Sequence, residues 1–485
     1  MLDGIGRGKK QKEPVVPLKS KIKIPPPDKK RFIDSFRIRK TQKIKVGGNQ
    51  SSIDKVKVNK SAKWTKRRKR FAFALTTVCF IVLFLCGLFS QSNSYEALVL
   101  LSRIKNESII LGFQNSAELR PTGGFWGSFA ILKAKNNILD SEILFETNPY
   151  KNDNPLLRTS TSQLPHPMKE TWPDRPQSFV NANWSLDFEE AGKTLEYYFG
   201  QGWDQQTDGA IGISSLAIID LLRLTGPVTA NDSTIVSADS FTQTMSQKID
   251  TEYWQSEENK AINEPKTIIK EIAPEIISRA KALPKIKLYK FALDQASKGH
   301  IVVYFNDPKK QNIAENIGIS GKLEPYKNDY LYVNNANLNG GKSSLNINQK
   351  IVYSVSEESG SYLGNLILTR SCPTNEWPNI LNRNYTRVAV PLGSKLISAQ
   401  LDDQDISNSI ETLDESGRTT FGFWFSVGPT ESKSAKITYS LPFQNLKKYN
   451  LVFQKQPGTL ADEAEIDAFG QNIFSGLFDQ NIARF

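Results

Sequence analysis

The densest set of side chains able to do chemistry lies in one short run, Gln114–Gly124 (QNSAELRPTGG), directly after the apolar stretch Ser108–Phe113. A polar, glycine-containing turn that follows a buried strand can aim backbone N–H groups and a guanidinium at an anion. Arg120 is thus a candidate phosphate or carboxylate ligand, with Gln114, Asn115, Gly123 and Gly124 around it. Glu118 admits a second reading of equal weight, in which it forms an ion pair with Arg120 that only pins the loop. Asn183, Trp184 and Asp187 precede a helix N-terminus, a natural place for an anion. There the simpler reading makes Asp187 the N-cap and Trp184 part of the core. Asp208, just before a short strand, is a candidate divalent-cation ligand if other carboxylates converge on it; otherwise it only ends the preceding helix.

Nucleophilic and zinc chemistry find little support. The 485 residues include two histidines. His166 sits in a Pro-rich run and His300 opens a strand, and neither context supplies the positioned partner that a general base needs. Cys79 and Cys86 lie inside an apolar stretch, which leaves Cys372 without a disulfide partner in the soluble part.

Charge divides the chain in two. The net +12 hides a first segment, residues 1–70, with 24 Lys/Arg against 5 Asp/Glu. The remaining 38 basic and 45 acidic residues leave the rest at −7. Between these parts, residues 71–90 (FAFALTTVCFIVLFLCGLFS) carry no charge. Twenty such residues in a helix span roughly 30 Å, the thickness of a bilayer's hydrocarbon core. Six basic residues within 63–70 flank the N-terminal side. Basic flanks stay in the cytoplasm, so an uncleaved signal-anchor is expected, with residues 91–485 outside. The tail is expected to be disordered and drawn to anionic lipid headgroups of the cytoplasmic membrane. It holds no base-reading motif, so no nucleic-acid partner is expected.

The elements that must position the candidates follow from periodicity. Strands at 108–113, 125–133 and 138–145 contain a hairpin signature at Asn136-Asn137. A helix over 181–199 has Asp187 as cap and Phe188, Ala191, Leu195 and Tyr198 on its apolar face. A strand at 208–213 leads through Ser214 or Ser215 into a helix that Gly226-Pro227 ends. Helices are expected at 237–249, 265–282, 285–298 and 308–317, with strands at 300–305 and 330–334. That alternation predicts an α/β domain, a mixed sheet with flanking helices, over 91–344. Seven period-two strands over 345–458 predict an all-β sandwich. Residues 459–485 read as a tail, possibly helical, and the whole is expected to be tethered by one transmembrane helix.

Several motifs carry a resemblance. Phe113–Phe125 (FQNSAELRPTGGF), Asn181–Phe188 (NANWSLDF), Thr207–Ile211 (TDGAI) and Leu224–Val228 (LTGPV) resemble those of the bacterial Domain of Unknown Function 4012 family. So do Asp329–Leu331, Asn335–Lys342 and Gln454–Gly458, which extends the resemblance in order over nearly all of 105–458. It implies a bacterial, membrane-anchored, envelope-facing protein with no established activity. More distantly, Asn181–Gly200 and Asp208–Val228 are similar to segments of the LytR–CpsA–Psr phosphotransferases, which transfer polyprenyl-pyrophosphate-linked glycans to the cell wall. That likeness implies Arg120 as a pyrophosphate ligand. The family's Arg-Ser-Asp-Thr and Pro-Arg-Asp forms are absent here. Two functions are therefore open. One is a ligand-binding or structural envelope module whose partner is a glycan, lipid, cell-wall polymer or protein. The other is a transferase in which Arg120 neutralises pyrophosphate and Glu118, Asp187 or Asp208 holds Mg²⁺. A deep apolar pocket lined by Arg120 and carboxylates would separate transfer from the non-catalytic reading.

Overall fold

A computed structural model describes residues 95–138, 140–146, 148–153, 163–338, 341–378 and 380–485. The basic tail and the apolar run 71–90 lie outside these residues. Among the described residues no helix is long and apolar enough to cross a membrane.

Strand β1 (Glu107–Gln114) is the axis of a five-stranded sheet. It pairs antiparallel with β2 (Phe129–Ala134), which pairs with β3 (Ser141–Glu146). On its other side it runs parallel to β4 (Gly209–Ser214), which pairs antiparallel with β5 (Ile301–Phe305). Both faces of β1 are covered, which is why it reads as a continuous apolar run rather than an alternating one. Ile110 faces the helix α1 (Phe188–Trp203) in a cluster with Trp126, Phe129, Phe179, Leu195 and Phe199. Rings of Phe129, Phe179, Phe199 and Trp203 lie 5.0–6.2 Å apart, centroid to centroid. Burying each such ring stabilises by about 1.5–3 kcal/mol.

On the opposite face Ile109 and Leu111 join Leu100 of the helical segment 95–103, Ile104 just after it, and Ala314 of α6 (Pro308–Asn316). A separate apolar cluster belongs to α2 (Ser215–Thr225), α3 (Phe241–Ser246) and α4 (Thr267–Ala282), with Leu222, Val228, Met245, Ile268, Ile272 and Ile276 at its centre. Ser214 caps α2 by accepting from Ala217 N, and Gly226 ends it, as the residue types predict. Helix α5 (Lys285–Ser297) then leads into β5, and α6 follows.

The sandwich packs two sheets. Strands β6 (Asp329–Asn337), β9 (Asn384–Pro391), β12 (Glu411–Glu415), β13 (Arg418–Trp424), β15 (Leu451–Gln454) and β18 (Ile482–Arg484) form one, in the order β12-β13-β9-β6-β15-β18. The other runs β11-β10-β14-β8-β7-β16-β17. Its members are β7 (Asn348–Glu358), β8 (Ser361–Ser371), β10 (Lys395–Leu401), β11 (Gln404–Asp405), β14 (Ser432–Ser440), β16 (Asp462–Ala468) and β17 (Gln471–Phe478). Leu331, Val388 and Phe421 from the first meet Ile351, Leu366, Ile437 and Ile466 from the second in one core.

Two expectations are corrected. Asp329–Asn337, read as part of the α/β unit ending at 344, is a central strand of the sandwich, paired antiparallel with β9 and parallel with β15. Residues 459–485 are not helical but supply β16, β17 and β18. In β16 the buried Ala464, Ile466 and Ala468 alternate with more exposed acids, a period-two pattern whose small and acidic residues disguise it.

Because β16 lies between β7 and β17, ending the chain at Gly458 removes this interior strand with β17, leaves β7 unpaired on that side, and takes β18 from β15. The truncated protein is expected to lose its cooperative urea transition and to be digested rapidly by protease; a wild-type midpoint would contradict this strand order.

Candidate functional site

The polar run after β1 is a clasp. Asn115 opens a short turn of helix by accepting from Ala117 N, and the chain then doubles back to pair Asn115 with Phe125. Gln114 Oε1 accepts from Thr122 Oγ1 at 2.7 Å, and Asn183 Nδ2 donates to Thr122 Oγ1 and to the Gly124 carbonyl, each at 2.9 Å. Gln456 Nε2 donates to the carbonyls of Arg120 at 3.0 Å and Asn335 at 2.8 Å. Asn334 Nδ2 donates to Pro121 O, and Asn337 N donates to Leu119 O. Asn183, Asn335, Asn337 and Gln456 all belong to the sequence motifs, so the motifs converge on one seam between the α/β unit and the sandwich. Glycine is required there twice. A Cβ on Gly124 (φ +154°) would lie 2.5 Å from Asn115, and one on Gly458 (φ +67°) 2.1 Å from the Gly123 carbonyl.

Gly123, Gly124 and Asn183 therefore build the loop's own architecture, while Gln114 and Asn115 do so and also line the cavity described below. Trp184 packs under the Arg387 guanidinium at 4.4 Å, on the sandwich side. Asp187 caps α1: its oxygens accept from Glu189 N at 2.8 Å and Leu323 N at 3.1 Å, and it does not line the cavity described below. Asp208 lies at the opposite end of the sheet, where its Oδ2 accepts from Ser108 N. The length of β1, about 20 Å at ~3.3 Å per residue, separates it from the clasp. Glu118, Asp187 and Asp208 do not come together, so these three alternative Mg²⁺ ligands stand at separate places. Among the described residues no cluster of three metal-ligating side chains occurs. His166 is exposed beside Glu411, while burial holds the His300 imidazole neutral, its pKa pushed down to about 3.

Glu118 and Arg120 have a second face. Their side chains pair at 3.3 Å and form part of the wall of a cavity of about 660 Å³. Arg120 Nη1 also donates to the carbonyls of Leu119 and Asn337, its guanidinium stands 5.2 Å from the Phe125 ring centre, and its Nε has no partner. Burial raises the Glu118 pKa against the lowering pull of Arg120, Lys342 and Lys266, and lowers that of Arg120. Lys266 reaches the same end, donating to the Gly127 carbonyl above the Phe125 ring; burial pushes its pKa down to about 8. Lys342, paired with Asp250, and Arg175 complete the polar end. Four basic and two acidic side chains leave this end with a surplus of two positive charges when Lys266 is protonated.

The rest of the wall is apolar. Leu111, Phe113, Ile143, Phe145 and Ile213 present the sheet where β1 and β4 run out, with Phe113 and Phe145 stacked at 5.8 Å. Ile218, Leu221, Met245 and α4 face them. Helix α4 carries a broad apolar face: Ile268, Ile272 and Ile276 are buried in its own cluster, with Ile269 against it, and Ile269, Ile272, Ala273, Ile276 and Ile277 line the cavity. The sequence signal was there, since a helix with only one buried face needs a narrower stripe. Lys266 had no such signal, because only the fold brings residue 266 to residue 118.

These features define a class: an α/β unit with a deep apolar cavity and a cationic end, clasped to a β-sandwich. Residues 105–249 match the family model described as "Protein of unknown function (DUF4012)", which bears out the resemblance in the motifs over that region. No curated protein matches the chain. Solved structures match only in part. A Legionella pneumophila protein described as nutrient binding is 11% identical over 25% of this chain and 50% of its own, with a TM-score of 0.18. An M1 zinc metallopeptidase from Deinococcus radiodurans is 12% identical over 26% of this chain and 33% of its own, with a TM-score of 0.16. The chain thus spans half or less of either protein, and at these scores neither informs the function.

Two outcomes follow. Gly458→Ala should destabilise by roughly 2 kcal/mol or more, seen as a lower urea midpoint, because backbone must move to admit the methyl group; an unchanged midpoint would show the clasp to be loose. Lys266 stays protonated in the unfolded chain up to about its ordinary pKa of 10.5 but only to about 8 in the fold. Between those values the unfolded state binds more protons, so stability should rise with pH there. Lys266→Met should lack that rise, and parallel stability curves for the two proteins from pH 8 to 10.5 would refute the burial of this amine.

Proposed function

We propose that this is a membrane-anchored, extracytoplasmic envelope protein that binds an amphiphile, its apolar chain in the cavity between the sheet and α4 and its anionic head at Arg120 and Lys266. The observation that carries this reading is the pairing of an apolar wall with a surplus of two positive charges at one end. A cavity of about 660 Å³ falls in the range of small-molecule sites. Burying a chain's apolar surface supplies about 25 cal/mol per Å², and a phosphoryl head matches a guanidinium and an ammonium in charge and hydrogen bonding. The basic tail and the apolar run 71–90 supply the anchor and the orientation.

The feature set out above for transfer, an apolar pocket lined by Arg120 and carboxylates, is present, so phosphoryl-glycan transfer stays in view on that count. With Asp187 capping α1 and Asp208 at the far end of the sheet, the carboxylates left on the wall are Glu118 and Asp250, each engaged by a cation. Binding is therefore the better supported role.

The test is mass spectrometry of lipids that co-purify with the full-length protein extracted in detergent. Wild type should carry a phosphorylated lipid, and Ala273→Trp, which fills the cavity from a half-buried position on α4, should lose at least nine-tenths of it while still folding. Wild type without bound lipid, or equal loading of the folded variant, would overturn the reading.

A further inference from the structure

A second cavity, of about 430 Å³, opens at the end of the sandwich against the outer side of the clasp. Its wall is mixed rather than apolar: Gln349 and Thr459 bring amide and hydroxyl groups, Lys350 and Glu463 an ion pair, and Leu345, Ile347 and Leu460 apolar surface. Arg370, at the end of β8 and 3% exposed, points inward as Leu366 and Leu368 do before it on the same strand. Its guanidinium is held by Nη1 donating to Phe425 O at 2.7 Å and Nη2 donating to Asn382 Oδ1 at 3.1 Å, and among the described residues its buried Nε has no hydrogen-bond partner. Among the described residues no carboxylate lies within ion-pair distance of it. The nearby acid is Asp462, whose Oδ1 accepts from Gln349 Nε2 at 3.1 Å. Gln349 Oε1 in turn accepts from Asn335 Nδ2, which ties the wall back to β6.

A third charge lies beneath. Lys455 is buried and donates to the carbonyls of Gln456 and Thr459 and to Thr459 Oγ1, with no carboxylate in ion-pair reach among the described residues. Two buried cations thus share one buried acid. Burial, only partly offset by the attraction between these charges, pushes Arg370 down to about 9 and Lys455 to about 8, and raises Asp462 to about 6. A buried charge is costly unless it is paired, and a guanidinium on a cavity wall that no carboxylate meets is paired most simply by an anion from outside. One surplus positive charge matches a single negative one. The surrounding hydroxyl and amide groups both donate and accept, as the hydroxyl groups of a sugar do.

We propose that this second cavity binds a saccharide bearing a carboxylate, with Arg370 as the carboxylate ligand and the Gln349 and Thr459 side chains as partners of the sugar hydroxyls. The guanidinium is fixed before the ligand arrives, so binding orders little of the protein. This site stands independently of the lipid reading, because it shares no wall residue with the first cavity.

The experiment titrates the full-length protein in detergent micelles with methyl glucuronide, and in parallel with methyl glucoside and with acetate, by saturation-transfer NMR. Glucuronide should bind, while glucoside and acetate each bind at least tenfold more weakly, since each lacks one half of the recognition. Arg370→Met should weaken glucuronide binding tenfold or more. Asn348→Trp changes an exposed rim position, leaves the sandwich core untouched, and should block the site to a similar degree; it decides the matter if the Arg370 variant does not fold. Absence of glucuronide binding, acetate binding as tight as glucuronide, or folded Asn348→Trp protein that binds as wild type does would each overturn the proposal.

Discussion

The organisation of the molecule depends on how one guanidinium is buried. Arg120 lies at 1% exposure in a seam between two folding units, and its charge is met by Glu118 and two backbone carbonyls. Such a group is tolerated in a low-dielectric place only if its partners are held rigidly. Rigidity comes from the far side of the molecule: Gln456 binds the Arg120 carbonyl, Asn334 that of Pro121, and Gly458 packs on Gly123. The sandwich therefore fixes the geometry of a wall in the α/β unit. That coupling explains why residues near 120, 183, 335 and 456, far apart in the chain, resemble one family's motifs together.

The cavity beside that wall follows from two apolar clusters that do not merge. The sheet presents Phe113, Phe145 and Ile213, while α2, α3 and α4 close their own core around Leu222 and Ile272. Each cluster is stabilised without the other, so the gap between them need not collapse when it is unfilled. Interiors pack to crystal-like density, and a gap of this size lined by isoleucines is the exception that calls for an occupant. The charged residues at one end say which way round the occupant lies.

Much of this was legible beforehand. The α/β alternation, the hairpin after β1, the Asp187 cap and most of the sandwich strands follow from period and capping chemistry, which are local. The strand Glu411–Glu415 was not read, because its acids and exposure give no apolar face, and neither were the terminal strands, whose buried residues are mostly small. The candidate site was half legible. Arg120 and Glu118 stand on a cavity wall and also form the ion pair, so both readings of that loop hold at once. Asn183, Gly123 and Gly124 looked like ligands because polar and glycine residues serve clasps and binding loops alike. Asp208 was misplaced because sequence order hides which end of a strand a residue occupies. Lys266, Arg370 and Lys455 were invisible for the same reason: their meaning lies in long-range juxtaposition.

The central claim is that the gap between the sheet and α4 holds the chain of an anionic amphiphile. Its most direct test is photolabelling of the full-length protein with an alkyl phosphate that carries a diazirine in mid-chain, followed by peptide mapping. Label on Phe145, Ile213 and the Ile269–Ile277 stripe, competed by an unlabelled alkyl phosphate but not by the matching alcohol, is the expected result. Label scattered over the exposed surface, or equal competition by the alcohol, would contradict it.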